Sequence, residues 1–170
     1  MPTLNNRMST SNARAAHLLI ALAVVALDRW SKWLVAAHIP LYTHIDVIPR
    51  FLRLTHTENT GAAFSLFADS PSHFRTALLI GFSVLAIMVV FGLLWNQRRA
   101  LTLTGIALSL ILGGAAGNLW DRIARGRVID FLLAYYKHYQ WPVFNLADSA
   151  IVVGASLLVI EILFQRREQA

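Results

Sequence analysis

Apolar residues in this chain fall into four long runs, not into short alternating strands or heptads. A helix crossing a bilayer core needs about 20 such residues, at 1.5 Å rise over roughly 30 Å. Four segments meet that length: about Ala15–Ala37, Thr76–Trp95, Leu101–Trp120 and Asn145–Phe164. The second and third carry no charge, and the fourth carries none between Asp148 and Glu161. The first is interrupted by Asp28, Arg29 and Lys32. Arg7 and Arg14 ahead of an apolar core also suit a cleaved signal peptide. The apolar stretch, however, continues past the charges through Trp33–Ala37, which favours a retained helix.

Four spans place both long connections on one face of the membrane. The first, His38–Arg75, contains Phe51-Leu-Arg-Leu-Thr-His-Thr57, whose partial alternation suits a sheet on the membrane surface. Asn59-Thr-Gly61 is a turn signal. The second connection carries Tyr135, Tyr136, Tyr139, Trp141 and Phe144, a density of aromatics suited to the headgroup region. The connection on the other face, Asn96–Ala100, is five residues long. Function is therefore expected on the long-loop side.

Composition supports a membrane protein. Of 170 residues 56% are hydrophobic and 14% charged, against about 45–50% and 25% in soluble domains. Disorder is excluded, since it needs low hydrophobicity and high charge. With no Cys, disulfides, thiolate metal sites and a Cys nucleophile are excluded. The net charge of +6 sits in small clusters at the edges of the apolar runs, a pattern of membrane topology and not of nucleic-acid binding. With the termini inside, inside segments hold six Lys or Arg in about 26 residues and outside loops hold seven in about 62. That density difference favours cytoplasmic termini.

Ionisable groups in or beside spans are costly and are functional candidates. Asp28 and Lys32, spaced i,i+4, share a helix face and can pair, with Lys32 snorkelling to the interface. Asn118 and Arg122 have the same spacing, and Asp121 and Arg125 repeat it on a neighbouring face as a surface salt bridge. Gly113, Gly114 and Gly117 allow another helix to approach closely. Gly126 is a helix stop. Asp130 follows in the apolar run Val128-Ile-Asp-Phe-Leu-Leu133, where burial would raise its pKa. Asp148 opens the fourth span, with Asn145 as N-cap and Asp148 three positions on, an arrangement like a capping box.

Asp130 and Asp148 lie 18 residues apart, at the end of one span and the start of the next. Facing carboxylates that share one proton can activate water directly. One accepts the proton of water while the other polarises the carbonyl under attack. The helix N-terminus favours an ionised Asp148 and the apolar run a protonated Asp130. Other catalytic sets are missing. There is no His-Glu-x-x-His, and Gly81-Phe-Ser-Val-Leu85 departs from a nucleophile elbow at its last position. The six His have no metal-ligand spacing and suit loop and interface positions. Lys occurs only at 32 and 137, which leaves a Ser–Lys peptidase little support.

Five blocks in order resemble the motifs of bacterial lipoprotein signal peptidase (signal peptidase II). They are Asp28-x-x-x-Lys32, Asn59-Thr-Gly-Ala-Ala-Phe64, Gly113-Gly-Ala-Ala-Gly-Asn-Leu-Trp-Asp-Arg122, Gly126-Arg-Val-Ile-Asp-Phe131 and Phe144-Asn-Leu-Ala-Asp-Ser149. The blocks run from Asp28 to Ser149, and the resemblance as a whole covers about His17 to Phe164. The resemblance implies an aspartic endopeptidase of the bacterial inner membrane, without metal or other cofactor, that cuts a diacylglyceryl-modified prolipoprotein before its lipidated Cys. It implies Asp130 and Asp148 as the catalytic pair. Asn59, Gly61, Asn118, Arg122 and Asn145 follow as substrate-site residues, and Asp28 and Lys32 as supporting residues. It implies globomycin-type inhibitors and membrane lipids as further partners. The expected fold is all-α and integral to the membrane, one domain over 1–170. It has four transmembrane helices, and a small β-sheet and short helical segments on the extracytoplasmic side. A small four-helix transporter or complex subunit, or a scaffold without chemistry, are the alternatives.

Overall fold

A computed structural model describes residues 10–61, 72–97 and 101–168. Four long helices carry the chain: α1 (Thr10–His38), α2 (Ser72–Trp95), α3 (Leu103–Arg125) and α4 (Leu146–Glu168). α1 and α2 cover their apolar runs, α3 begins two residues and α4 one residue inside theirs, and each passes at least one end of its run, because hydropathy marks the apolar body of a helix and not its hydrogen-bonded ends. At α3 the Thr102 side chain accepts the Gly105 N–H at 3.0 Å and starts the helix. Gly126, at φ +71°, ends it, donating its N–H to the Arg122 carbonyl.

Among the described residues three stretches are long and apolar enough to cross a membrane: His73–Trp95, Leu103–Arg125 and Leu146–Phe164. The first helix is not among them. Its 29 residues would reach about 44 Å, but Asp28, Arg29 and Lys32 lie in its second half. Its faces explain how those charges are tolerated. Ala13, His17, Ala21, Asp28, Lys32 and Val35 form a buried stripe at helical spacing, while Leu18, Leu19, Leu22, Leu27, Trp30 and Trp33 are exposed. The apolar side faces outward and the polar side faces the bundle.

α3 is the central helix and packs on α1, α2 and α4. Glycines of α3 set how closely. A Cβ at Gly114 would strike the Ala147 carbonyl of α4, and one at Gly117 would come within 2.8 Å of Asp28 Oδ2 on α1. Away from the sheet Ala21, Leu94, Leu108 and Leu112 pack in one apolar cluster.

A four-stranded antiparallel sheet covers one end of the bundle in the order β1 (His44–Ile48), β2 (Leu52–Asn59), β3 (Val128–Tyr136), β4 (Tyr139–Gln140). Val35 of α1 and Ile39, just past its end, pack under it against Ile129 and Phe131. The register of β2 on β3 shifts between Leu54 and Thr57. Consecutive Thr55 and His56 are consequently both buried, which is why the alternation in this stretch is only partial. The connection from α3 to α4 is thus a β-hairpin; short helical segments were expected on the extracytoplasmic side, but among the described residues no helix lies outside α1–α4. The β-branched and aromatic run Val128–Tyr136 suits a strand laid on β2.

Candidate active site

The segment entering α4 is fastened to β3. Phe144 accepts the Leu132 N–H at 2.8 Å and returns its own N–H to the Leu132 carbonyl at 3.0 Å. This bridge delivers Asn145 to Asp130. From there Asn145 and Asp148 form the reciprocal cap expected of the sequence. Asn145 Oδ1 accepts the Asp148 N–H at 2.9 Å, and Asp148 Oδ2 accepts the Asn145 N–H at 3.2 Å. With its carbonyl committed to the cap, the Asn145 side chain presents its NH2 to Asp130 Oδ1 at 2.7 Å. One fully buried amide therefore links the helix that carries one acid to the carboxyl of the other.

Asp130 is held from the sheet as well. Thr57, its partner on β2, donates its hydroxyl to the Asp130 carbonyl at 3.0 Å. Asn59, diagonal to Asp130 across the same two strands, donates its amide to Asp130 Oδ2 at 3.0 Å. Gly61, at φ +80°, donates its N–H to Asn59 Oδ1 at 2.8 Å, so the turn fixes which end of that amide faces the acid. A side chain at Gly61 would strike Leu79 on α2. The rest of this motif, Ala62–Phe64, lies outside the described residues.

Asp130 is only 3% exposed. Burial pushes its carboxyl up from 3.8 to about 6. The Asn59 amide opposes the rise, the neighbouring Asp148 carboxylate adds to it, and Asn145 and Lys32 oppose it.

Asp148 is held from α3, where Asn118 donates its amide to Asp148 Oδ1 at 2.7 Å. Asn118 Oδ1 in turn accepts from Asn145 Nδ2 at 3.2 Å and from Lys32 Nζ at 3.1 Å. Lys32 also donates to Asp28 Oδ2 at 2.7 Å. It lies 2.8 Å from Asp121 Oδ2, close enough for an ion pair but without hydrogen-bond geometry. Asp28 Oδ1 accepts the Ala147 N–H at 3.0 Å, so the α1 carboxylate helps to cap α4. Arg122 is half-buried and within electrostatic reach of Asp148, Asp130 and Asp121.

All the site residues singled out from the sequence thus converge at the sheet end of the bundle. Three details differ. Asp121 does not make a surface pair with the exposed Arg125; it is fully buried and binds Arg29 and Lys32 across the bundle. Its i,i+3 spacing from Asn118 was the available signal. Lys32 pairs with Asp28 as expected but is fully buried and does not snorkel. His17 is neither a loop nor an interface residue, since it is completely buried in α1.

The fold is that of a bacterial membrane enzyme. A bacterial membrane enzyme solved by the in meso method at 2.3 Å matches with a TM-score of 0.79, 27% identity and 92% of both chains covered. A second, solved by that method at 1.9 Å, matches with a TM-score of 0.76 and 28% identity, over 88% of this chain and 93% of the other. In sequence, residues 20–164 match the family model of signal peptidase II. A lipoprotein signal peptidase of Solibacter usitatus is 45% identical over 151 residues, covering 89% of this chain and 92% of the relative. One of Neisseria meningitidis is 38% identical over 161 residues, covering 95% and 96%. The chain belongs to the signal peptidase II family, and it is a peptidase that removes signal peptides from prolipoproteins.

Proposed function

We propose that Asp130 and Asp148 are the catalytic pair of an aspartic endopeptidase that cuts diacylglyceryl-modified prolipoproteins before the lipidated Cys. The observation that carries this reading is the shared amide of Asn145, which reaches Asp130 Oδ1 at 2.7 Å while capping Asp148 at 2.9 Å. Asp130, pushed up to about 6, keeps a proton well above the usual carboxylate range, so two acids joined in this way can share one.

The chemistry follows from that proton. Protonated Asp130 donates to the scissile carbonyl, and ionised Asp148 takes a proton from water as its oxygen attacks the carbonyl carbon. The product is a tetrahedral diol, with the proton now on Asp148. Collapse passes that proton to the amide nitrogen and breaks the C–N bond, while a diol hydroxyl gives its proton back to Asp130, leaving the carboxyl of the signal peptide and the free amine of the lipidated Cys. Asn59, Asn118 and Asn145 position the two acids. Arg122 and Gly61 complete the substrate site, and Asp28 and Lys32 support it.

Placement follows the same logic. All four helices span a bacterial inner membrane, α1 with its charges turned inward, and both termini are cytoplasmic. The site lies at the extracytoplasmic surface, where a substrate anchored by two acyl chains holds its scissile bond. Exposed Tyr136, Tyr139 and Trp141 on the hairpin, with Ile45, Val47 and Ile48 of β1, meet membrane lipid and the emerging peptide. Cyclic lipopeptides of the globomycin type occupy the same site.

The test is cleavage of a diacylglyceryl prolipoprotein by purified protein, comparing wild type with Asp130→Asn and Asp148→Asn. Both variants are expected to lose on the order of 10³ or more in rate. Near-normal turnover in either makes that residue a cap or packing residue and ends the mechanism. An inert wild type brings forward the transporter or subunit reading.

A further inference from the structure

We propose that Lys32 is a positioning residue: it locks the side-chain amide of Asn118 in the one orientation that keeps Asp148 the unprotonated member of the pair. The inference rests on the reading of Asp130 and Asp148 as the catalytic acids.

A side-chain amide has two orientations of nearly equal shape, related by a flip that exchanges oxygen and NH2. For Asn118 they are chemically opposite. As observed, its oxygen faces two donors, Lys32 Nζ at 3.1 Å and Asn145 Nδ2 at 3.2 Å, and its NH2 faces Asp148 Oδ1 at 2.7 Å. The flipped amide would set NH2 against a buried ammonium, donor against donor. It would also turn its oxygen toward Asp148, which could bond there only by carrying the proton. An ammonium has donors alone. While Lys32 stands there, the flip costs a charge-assisted hydrogen bond in a dry site. Asn118 therefore transmits the position of Lys32 to Asp148.

Lys32 is itself fixed. Asp28 Oδ2 accepts from it at 2.7 Å and Asp121 Oδ2 lies at 2.8 Å, while the other oxygen of Asp121 is taken by Arg29. The missing side chain at Gly117 leaves room for Asp28 against α3. Asp28 and Asp121 balance Arg29 and Lys32, so this block is neutral. The remaining facing charges are Asp130, Asp148 and Arg122, whose sum reaches zero when the two acids hold one proton. From the sheet, Glu58 is paired with Arg127 at 3.0 Å, and the His56 ring is bonded to the Ile39 carbonyl at 2.8 Å. The network thus favours the state with a single proton, and the Asn118 amide decides which acid carries it.

The test is the pH dependence of kcat/KM for cleavage of a diacylglyceryl prolipoprotein by the full-length protein in detergent, from about pH 5 to 9. Lys32→Met should lower kcat by on the order of 10² with little change in KM, and should move both limbs of the profile up by about one unit. Asp121→Asn keeps Lys32 but removes a negative charge, so its limbs should move down. Residues that merely cement the bundle would lower the height of the profile without moving it. Folded variants with unmoved limbs overturn the inference, and Asp121→Asn alone decides the matter if Lys32→Met does not fold. A wild-type profile that persists in Asp130→Asn or Asp148→Asn instead overturns the catalytic pair, and this inference with it.

Discussion

Lys32 and His17 occupy the same stripe of α1, and both are fully buried. About 22 Å of helix separates them. At the sheet end, Lys32 reaches two carboxylates and an amide. At the other end, neither nitrogen of the His17 ring has a hydrogen-bond partner, and the ring lies over Gly105 of α3. An ammonium cannot be buried without being neutralised, whereas an imidazole can stay neutral and bear only the smaller cost of a lost hydrogen bond. In this bundle, burial of a polar group is not what marks the site. Connection to other polar groups is.

With both acids left in place, a large effect should come from cutting that connection. Asn145→Ala removes the amide that caps Asp148 and contacts Asp130. Loss of the cap costs about 1 kcal/mol of stability, but misplaced acids should lower kcat by on the order of 10². Steady-state cleavage rates beside thermal unfolding in detergent would separate the two. A variant losing stability alone would reduce Asn145 to a helix cap and weaken the contrast with the far end.

A second effect is thermodynamic. The Asp130 carboxyl is raised in the folded protein from 3.8 to about 6, so between those values the folded state binds the proton more tightly than the unfolded state. Stability from this group is complete below about pH 4 and is lost as pH rises through about 6, by on the order of 3 kcal/mol. In Asp130→Asn that dependence is absent. The difference in unfolding free energy between wild type and variant should therefore shift against wild type from pH 4 to pH 7, and thermal melts across that range measure it. A constant difference would mean that Asp130 is less desolvated than its 3% exposure indicates.

Much of this end of the molecule was legible because its signals are local. The cap of Asn145 on Asp148, the stop at Gly126 and the strand around Leu52–Thr57 each depend on neighbours within a few residues. Partners across the bundle were harder to read. Local spacing offered Arg125 to Asp121, yet burial against α1 gave it Arg29 and Lys32 instead. The hairpin after Gly126 was hidden for a similar reason. Val128–Tyr136 becomes a strand by pairing with β2, which lies some seventy residues earlier in the chain, as in Thr57 opposite Asp130. His17 carried one overlooked signal, its place four residues after Ala13 and four before Ala21 on the buried stripe.

The smallest effect tests the far end. His17→Leu replaces a ring whose polar atoms are unpartnered with an apolar side chain of similar bulk, in contact with the glycine surface of α3. Relieving an unsatisfied buried group should raise stability by about 1 kcal/mol. Cleavage rates should stay within about twofold, since a change of that size is below 0.5 kcal/mol of barrier. Thermal unfolding and initial rates on the same preparation check both. A loss of stability would mean that the ring packs on Gly105 better than leucine can. A loss of activity with stability intact would show that the far end communicates with the acids, and would erase the distinction between the two buried residues of α1.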